Sequence, residues 1–551
     1  MGRAASLTVF DGAAGIGGTK LLFEQGEARL LLDFGTNYSK MSRYYEEFLK
    51  PRPSRGLVDY LELGLLPRQK GWYREDLFPP HDYPRRDRDW SGARPTAVLL
   101  THGHLDHCGA VSFLHPEIPV LLTPMSLAIL RSWQETGRPD LTNEVTYLAP
   151  RRARTGPPTP GDSLPGRLLE SDRGEPRSVR PFRLFGEVSS EFASLFRSSP
   201  LGERTAFEPS DPLPAPSTLE GVGVRSQPVD HSVYGASAFL LEADGALIAY
   251  TGDLRFHGEH RAQSEEFLRA LERRRPEILV AEGTRLRPAG TRPESGGTTE
   301  EDVESNCRAD IERYHGKIVV ADFGPRNVER LRTFRSIALA TGRQLVLTPK
   351  DAHLLTYLHS VDPAVEVDFG VGGMRILEEP SAGREGRWLE LVRSRYGDAH
   401  LSPVDVEANP GRWILCFSFF DCNDLVDLRG ATPGGLWLYS SSEAHGEEQE
   451  FDFRRLKAWI DWAGMRPIGF RHVPVPGGGE RLTFDHPEDV GHHASGHATQ
   501  EELVELVRRA NPRYLVPVHT GQPSRRYAEL LREVAPSIEV IESRDGVPFS
   551  W

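Results

Sequence analysis

The sequence predicts an α/β protein in which one α/β unit is inserted into another, and three observations point there. Short apolar runs repeatedly end in histidine or aspartate, as at "AVLLTHGHLDH" (97–107), "IAYTGD" (248–253) and "YLVPVHTG" (514–521). Between Gly316 and Thr348 the pattern becomes strand, helix, strand: GKIVVAD, a helix over about 327–341, then QLVLT. That alternation belongs to a parallel sheet. Ligand-type residues return only after Phe470, which divides the chain into 1–289, an inserted 290–475 and a resumed 476–551.

In order along the chain, Ser6 to Phe10, Lys20 to Glu24 and Ala28 to Asp33 read as a meander of short strands separated by glycine clusters. Residues 38–95, with "GWYREDLFPPHDYPRRDRDW", are too polar for a core and read as an ordered flap. Thr96 to Thr101 is a buried-type strand, and Gly109 to Leu114 begins a helix. Residues 150–222 are broken up by Pro, Gly, Ser and Arg and read as long surface excursions. Ala236 to Glu242 and Ala246 to Thr251 form a hairpin about Asp244-Gly245, a two-residue turn signal. Ile278 to Ala281, Arg412 to Ser418 and Gly435 to Tyr439 are further strands.

The charge balance, 66 Lys+Arg against 79 Asp+Glu, argues against a protein that coats nucleic acid broadly. It leaves room for a narrow basic groove. The basic clusters Arg85-Arg86, Arg151-Arg152, Arg273 to Arg275, Arg508-Arg509 and Arg525-Arg526 read first as solvated faces. No run of eighteen apolar residues predicts a membrane span, and the amino terminus does not read as a secretory signal. The four cysteines form no CxxC pair, so a cytoplasmic location is expected.

The chemistry concentrates in "THGHLDHCGA". His102 and His104 alternate behind a strand, so both rings can aim at one ion; Asp106 and His107 fall on the next turn and reach a second. Nitrogen and hard oxygen donors suit zinc or manganese. Each ion needs three or four protein ligands, so others must come from elsewhere. The candidates are His231 in "PVDHSVYG", Asp253 in "YTGDLRFHG" and His519 in "PVHTG", all at strand ends.

These pieces, with Asp33 in "LLLDFG", Glu282 in "VAEGT" and His497 in "HASGHATQEEL", span nearly the whole chain in order. Together they resemble metallo-β-lactamase-fold hydrolases of the β-CASP branch, and within it the ribonuclease J family. The resemblance implies an αββα sandwich carrying an inserted β-CASP domain over the metal face. It implies one divalent ion on His102, His104, His231 and Asp253, and another on Asp106, His107, Asp253 and His519, zinc first, with manganese or magnesium as alternatives. Asp33 would orient ligands from behind. Glu282 would orient His497 near the leaving group, and Asp106 and Asp253 would share the catalytic work with them. His493, Ser495 and Gly496 would face a substrate phosphate. The implied reaction is hydrolysis of single-stranded RNA, by a water activated between two cations, leaving 5′-phosphate products.

The sequence departs from the family in three places. Only about thirty residues follow His519, so the family's C-terminal domain is expected to be missing. "CFSFFDCNDL" (416–425) replaces the family's Gly-Ser-Gln-Gly-Glu stretch, with Phe417, Phe419 and Phe420 either core or base-stacking groups. The segments 38–95 and 150–222 are long and are candidate surfaces for a homodimer or protein partner. By the same resemblance, the histidine at 519 implies RNA rather than DNA as substrate. The alternatives are a DNA-directed nuclease in repair or defence, a hydrolase of small phosphoesters or thioesters, and a non-catalytic binding scaffold.

Overall fold

The computed structural model describes residues 5–46, 48–83, 90–154, 166–202, 205–291, 298–324, 326–378, 386–441, 447–474, 480–484 and 486–551. Two sheets pack face to face. The first has eight strands, in spatial order Leu213–Pro214, Phe182–Leu184, Val120–Leu122, Ala97–Leu99, Ala28–Phe34, Lys20–Gln25, Ser6–Asp11 and Pro548–Ser550. The second has seven, from Thr218–Leu219 through Val222–Pro228, Ser237–Ala243, Ala246–Tyr250, Ile278–Glu282 and Tyr514–Val518 to Glu539–Val540.

The apolar runs explain the layering. Along Ala28–Phe34, Leu30 and Leu32 pack toward the second sheet while Leu31 packs outward. Phe239 and Leu241 face the first sheet, whereas Ala238 and Leu240 face outward. Strands apolar on both faces need cover on both. Helix Pro124–Thr136 covers one outer face, and helices Arg261–Arg274, Gln500–Ala510 and Arg525–Leu531 cover the other. The result is the αββα sandwich. The hairpin turn forms as the sequence implies, with Asp244 and Gly245 at φ 49° and 83°.

A third sheet of seven parallel strands lies in the order His400–Leu401, Arg375–Leu377, Gln344–Leu347, Trp413–Phe417, Val319–Asp322, Leu436–Tyr439 and Arg466–Ile468. In sequence it falls between Ile278–Glu282 and Tyr514–Val518, which nevertheless pair directly, Glu282 opposite Val518. Phe417 is buried in this lobe, Phe419 is half-buried against it, and Phe420 is 83% exposed.

Three expectations change. Helix formation comes earlier than Gly109: Leu105–Cys108 is the helical turn, and only a 3-10 turn, Val111–Phe113, follows. Gly109 closes that first turn by donating its N–H to Leu105 O at 2.7 Å. The segment 38–95 is no polar flap: Leu57, Leu61, Trp72, Tyr73, Leu77 and Phe78 are buried in the core beneath the first sheet, and Arg74 is buried against Glu144. The segment 150–222 contributes strand Phe182–Leu184 to the first sheet and helix Ser190–Arg197, which buries Phe192 and Phe196. Arg85-Arg86 lies outside the described residues. The other basic clusters include Arg151, Arg273, Arg274, Arg508, Arg509 and Arg526, each paired with a glutamate. Among the described residues no helix is long and apolar enough to cross a membrane.

Buried ions join the inserted lobe to the sandwich. Arg255 meets Asp230 at 3.3 Å, Glu300 at 3.2 Å and Glu329 at 2.5 Å, while Arg330 shares Glu300 at 2.9 Å. Replacing Glu300 with alanine leaves two buried guanidinium groups short of a carboxylate. The expected cost is about 3–5 kcal/mol, read as a lower urea midpoint; an unchanged midpoint would show the network adds nothing to stability.

Candidate metal centre

The strand ends of both sheets crowd onto one edge. Ala97–Leu99 runs parallel to both its neighbours and delivers Thr101 and His102 just past its C-terminal end. His104 is the residue preceding helix Leu105–Cys108, which carries Asp106 and His107. His231 follows Val222–Pro228, Asp253 follows Ala246–Tyr250, and His519 follows Tyr514–Val518. The close fit of the loops needs glycine: a Cβ on Gly35 would lie 1.7 Å from the Asp106 carbonyl oxygen.

These seven side chains converge as two donor sets around one carboxylate. His104 Nδ1 lies 3.2 Å from both His102 Nε2 and His231 Nε2. Asp106 Oδ2 lies 3.8 Å from His107 Nε2 and 3.6 Å from His519 Nε2. Asp253 Oδ2 stands between the sets, 3.7 Å from His102 Nε2, 3.0 Å from His107 Nε2 and 3.9 Å from His519 Nε2. Its other oxygen, Oδ1, is buried with no hydrogen-bond partner.

The backs of the rings determine what the fronts present. The Thr101 hydroxyl donates to Asp33 Oδ2 at 2.8 Å and therefore accepts from His102 Nδ1 at 3.0 Å. His231 Nδ1 donates to the Gly496 carbonyl at 2.6 Å, and His107 Nδ1 to Asp33 Oδ2 at 2.8 Å. His519 Nδ1 pairs with Thr19 Oγ1 at 2.9 Å. With Nδ1 protonated in His102 and His231, the Nε2 lone pair of each points inward. His104 can donate to only one of the two Nε2 atoms facing it, so lone pairs meet unless a cation lies among them. This is the test the donor set passes: nitrogen and carboxylate groups, pre-aimed and short of protons, fit a divalent metal.

Electrostatics agree. Burial, then neighbouring imidazoles, hold His102 and His231 well below the usual histidine range. Burial pushes His104 down to about 4. Neutral rings are the ligand form. For His107 burial acts downward, but Asp253, Asp106 and Asp33 outweigh it and raise the ring. Burial would raise Asp253, yet His107 and His519 hold its carboxyl well below the usual range.

Asp33 sits behind the ligands, in the left-handed region at φ 57°, accepting from Thr101 N at 2.7 Å and Tyr250 OH at 2.7 Å besides His107. Glu282 Oε2 accepts from His497 Nδ1 at 3.0 Å while its Oε1 accepts from Leu254 N at 2.9 Å. His497 Nδ1 is 4.0 Å from Asp253 Oδ2. Burial opposes charge on His497, but Glu282 and Asp253 raise its pKa. Ser495 Oγ accepts from His497 N at 3.2 Å, and the Ser495 carbonyl accepts from His257 Nε2 at 2.9 Å. His493 lies apart, against the rings of Tyr439 and Phe484.

Sequence reading missed Thr19, Thr101 and Tyr250, which act only through other residues. Thr101 adjoins the histidine motif and was the most findable. Thr19 follows the glycine cluster "GIGG", whose Gly17 packs on Asp106; as sequence it signals only a turn.

Residues 71–289 match the model of the metallo-β-lactamase superfamily, and residues 490–541 match one described as a Zn-dependent metallo-hydrolase RNA specificity domain. The chain is 22% identical over 479 residues to a ribonuclease J from Pyrococcus abyssi, covering 85% of this chain and 83% of that one. It is 20% identical over 312 residues to a ribonuclease J from Mycoplasma genitalium, covering 53% of this chain and 44% of that one. In fold it is similar to a crystal structure of a protein of unknown function from Enterococcus faecalis V583, at TM-score 0.62 and 19% identity, over 100% of both chains.

Replacing Asp33 with asparagine turns an acceptor of four hydrogen bonds into a mixed group facing the His107 ring proton. Metal affinity is expected to fall about 10- to 100-fold, measured by chelator competition. An unchanged affinity would show that Asp33 does not orient His107.

Proposed function

We propose that the chain, similar to ribonuclease J and matching the metallo-β-lactamase model over 71–289, is a two-metal nuclease of the β-CASP kind. In this reading it cleaves single-stranded RNA and leaves 5′-phosphate ends. The observation that carries the reading is the crowding of metal-type donors about Asp253, among which His497 also lies near His231 and Asp253 while paired with Glu282. Residues 1–289 and 476–551 form the metal-bearing part, and 290–475 the β-CASP lobe over the cleft.

His102, His104, His231 and Asp253 would hold one ion; Asp106, His107, Asp253 and His519 the other, with zinc favoured by the donors. Two bound divalent ions supply an activated water near neutral pH and offset charge at phosphorus. Asp106, with a side chain 26% exposed against 0–2% for His107, Asp253 and His519, is the carboxylate placed to orient that water and hold its proton. Glu282 holds His497 through Nδ1 and favours the charged ring, which would leave Nε2 to donate a proton to the departing 3′ oxygen. Gly496, through its carbonyl, ties the loop carrying His497 to the ligand His231. The RNA assignment is supported by the match over 490–541, which contains both His497 and His519.

The test is digestion of 5′-labelled single-stranded RNA and DNA of one sequence, after chelator dialysis and after zinc or manganese is restored. RNA is expected to be degraded only with metal, and Asp253→Asn to abolish cleavage. Faster loss of DNA would overturn the RNA assignment, and loss of neither the nuclease reading. His497→Ala is expected to lower kcat about 10²- to 10⁴-fold with metal content unchanged by elemental analysis. A fall in metal content would make His497 a ligand.

A further inference from the structure

A lysine is buried where the first hairpin opens toward the metal centre. Asp11 and Lys20 stand opposite each other at the ends of strands Ser6–Asp11 and Lys20–Gln25, and residues 12–19 connect them. Lys20 is 1% exposed and Asp11 4%. Lys20 Nζ donates to Asp11 Oδ2 at 3.2 Å and to the Gly18 carbonyl at 3.0 Å. Asp11 Oδ1 accepts from Gly12 N at 3.1 Å and from Asn37 Nδ2 at 2.8 Å, with Lys40 Nζ 2.9 Å away. An ion pair at this depth is a poor source of stability, because desolvation offsets its attraction. Its hydrogen bonds show another use.

They act on both ends of the connection. Gly18 C=O and Thr19 N–H belong to one planar trans peptide and so point in opposite directions. With that carbonyl turned to Lys20, the N–H points at the Asp106 carbonyl and meets it at 3.0 Å. At the other end Asp11 holds the Gly12 amide, and the Gly12 carbonyl accepts from His519 N at 2.8 Å. Thr19 Oγ1 completes the frame at His519 Nδ1, 2.9 Å away. Gly12 and Gly18 have φ of 96° and 72°, and a Cβ on Gly18 would collide with Asn37, so the path needs glycine.

Among the described residues these bonds end on Asp106 and His519, which share a donor set with His107. The rings of His102 and His231 are held from elsewhere, by Thr101 and by Gly496.

We propose that the buried Lys20–Asp11 pair positions Asp106 and His519, and so sets the affinity of one ion site and not of the other. The inference rests on the two-ion reading above. Lys20 and Asp11 are positioning residues: they act through the backbone of the connection and touch no ion.

The test titrates zinc against a chelator in wild type, Lys20→Met, Asp11→Asn/Lys20→Met and Leu268→Ala, the last a truncation in the core beneath the outer helices. Wild type is expected to take two ions. Both Lys20 variants should bind one of them about 10- to 100-fold more weakly and the other as before, while Leu268→Ala lowers the melting temperature and leaves both affinities in place. Adding Lys20→Met to His519→Ala should weaken zinc no further than His519→Ala alone, whereas adding it to His231→Ala should compound the loss. In wild type the amides of Thr19 and His519 should resist hydrogen exchange as strongly in chelator as with zinc, because the pair builds the site before the ion arrives. Both ions weakened alike, neither weakened, or full additivity with His519→Ala overturns the inference. So does protection of those amides that appears only with zinc, a result that decides the matter even if the Lys20 variants do not fold. If wild type binds a single ion the two-metal reading falls, and the amide exchange alone then decides whether the pair preforms the Asp106–His519 frame.

Discussion

Much of this structure depends on holding lone pairs together. Imidazole nitrogens crowd one small volume, with His104 wedged between His102 and His231 and Asp253 at the centre. In water such groups would separate or take up protons. Here the backs of the rings are fixed by Thr101, Gly496, Asp33 and Thr19, and in His102 and His231 the proton on Nδ1 is committed so that the inward nitrogen stays bare. Burial then holds His102, His104 and His231 neutral. The cluster has the form of a receptor for positive charge built before the charge arrives.

Holding it there strains the backbone at two residues. Asp33 and His519 have φ of 57° and 50°, a region that costs a side chain about 1–3 kcal/mol and that glycine would occupy freely. Neither position can be glycine if Asp33 is to gather Thr101, Tyr250 and His107, and if His519 is to face Asp106. The strain is borne by the two sheets, whose inner faces bury leucine, valine and phenylalanine from both sides of the site.

The inserted lobe is joined to this scaffold through ions as well as apolar contacts. Arg255 lies two residues beyond Asp253, pairs with Asp230 beside His231, and meets Glu300 and Glu329 of the lobe. It also donates to the Ser495 carbonyl at 3.3 Å. One buried guanidinium thus touches the surroundings of two candidate ligands, the loop of His497 and the second lobe. A shift of the lobe would be felt at the site through rigid hydrogen bonds, because buried arginines have no solvent to compensate them.

The sequence by itself offered the donor inventory, and its family resemblance implied the αββα layering. Ligand residues stand at the ends of apolar strands, and strand ends on one edge must meet, so His231, Asp253 and His519 were legible beside "THGHLDH" although far apart in the chain. It also determined the insertion, because the strand–helix–strand texture interrupts the ligand pattern. It misjudged 38–95, where Trp72 and its apolar neighbours are too irregularly spaced among charges to signal a core. Only tertiary structure decided which groups hold the backs of the rings and that His493 packs against the rings of Tyr439 and Phe484. Those depend on which loops lie against which. Loop packing is set by distances between distant segments, and no local pattern of residues encodes a distance.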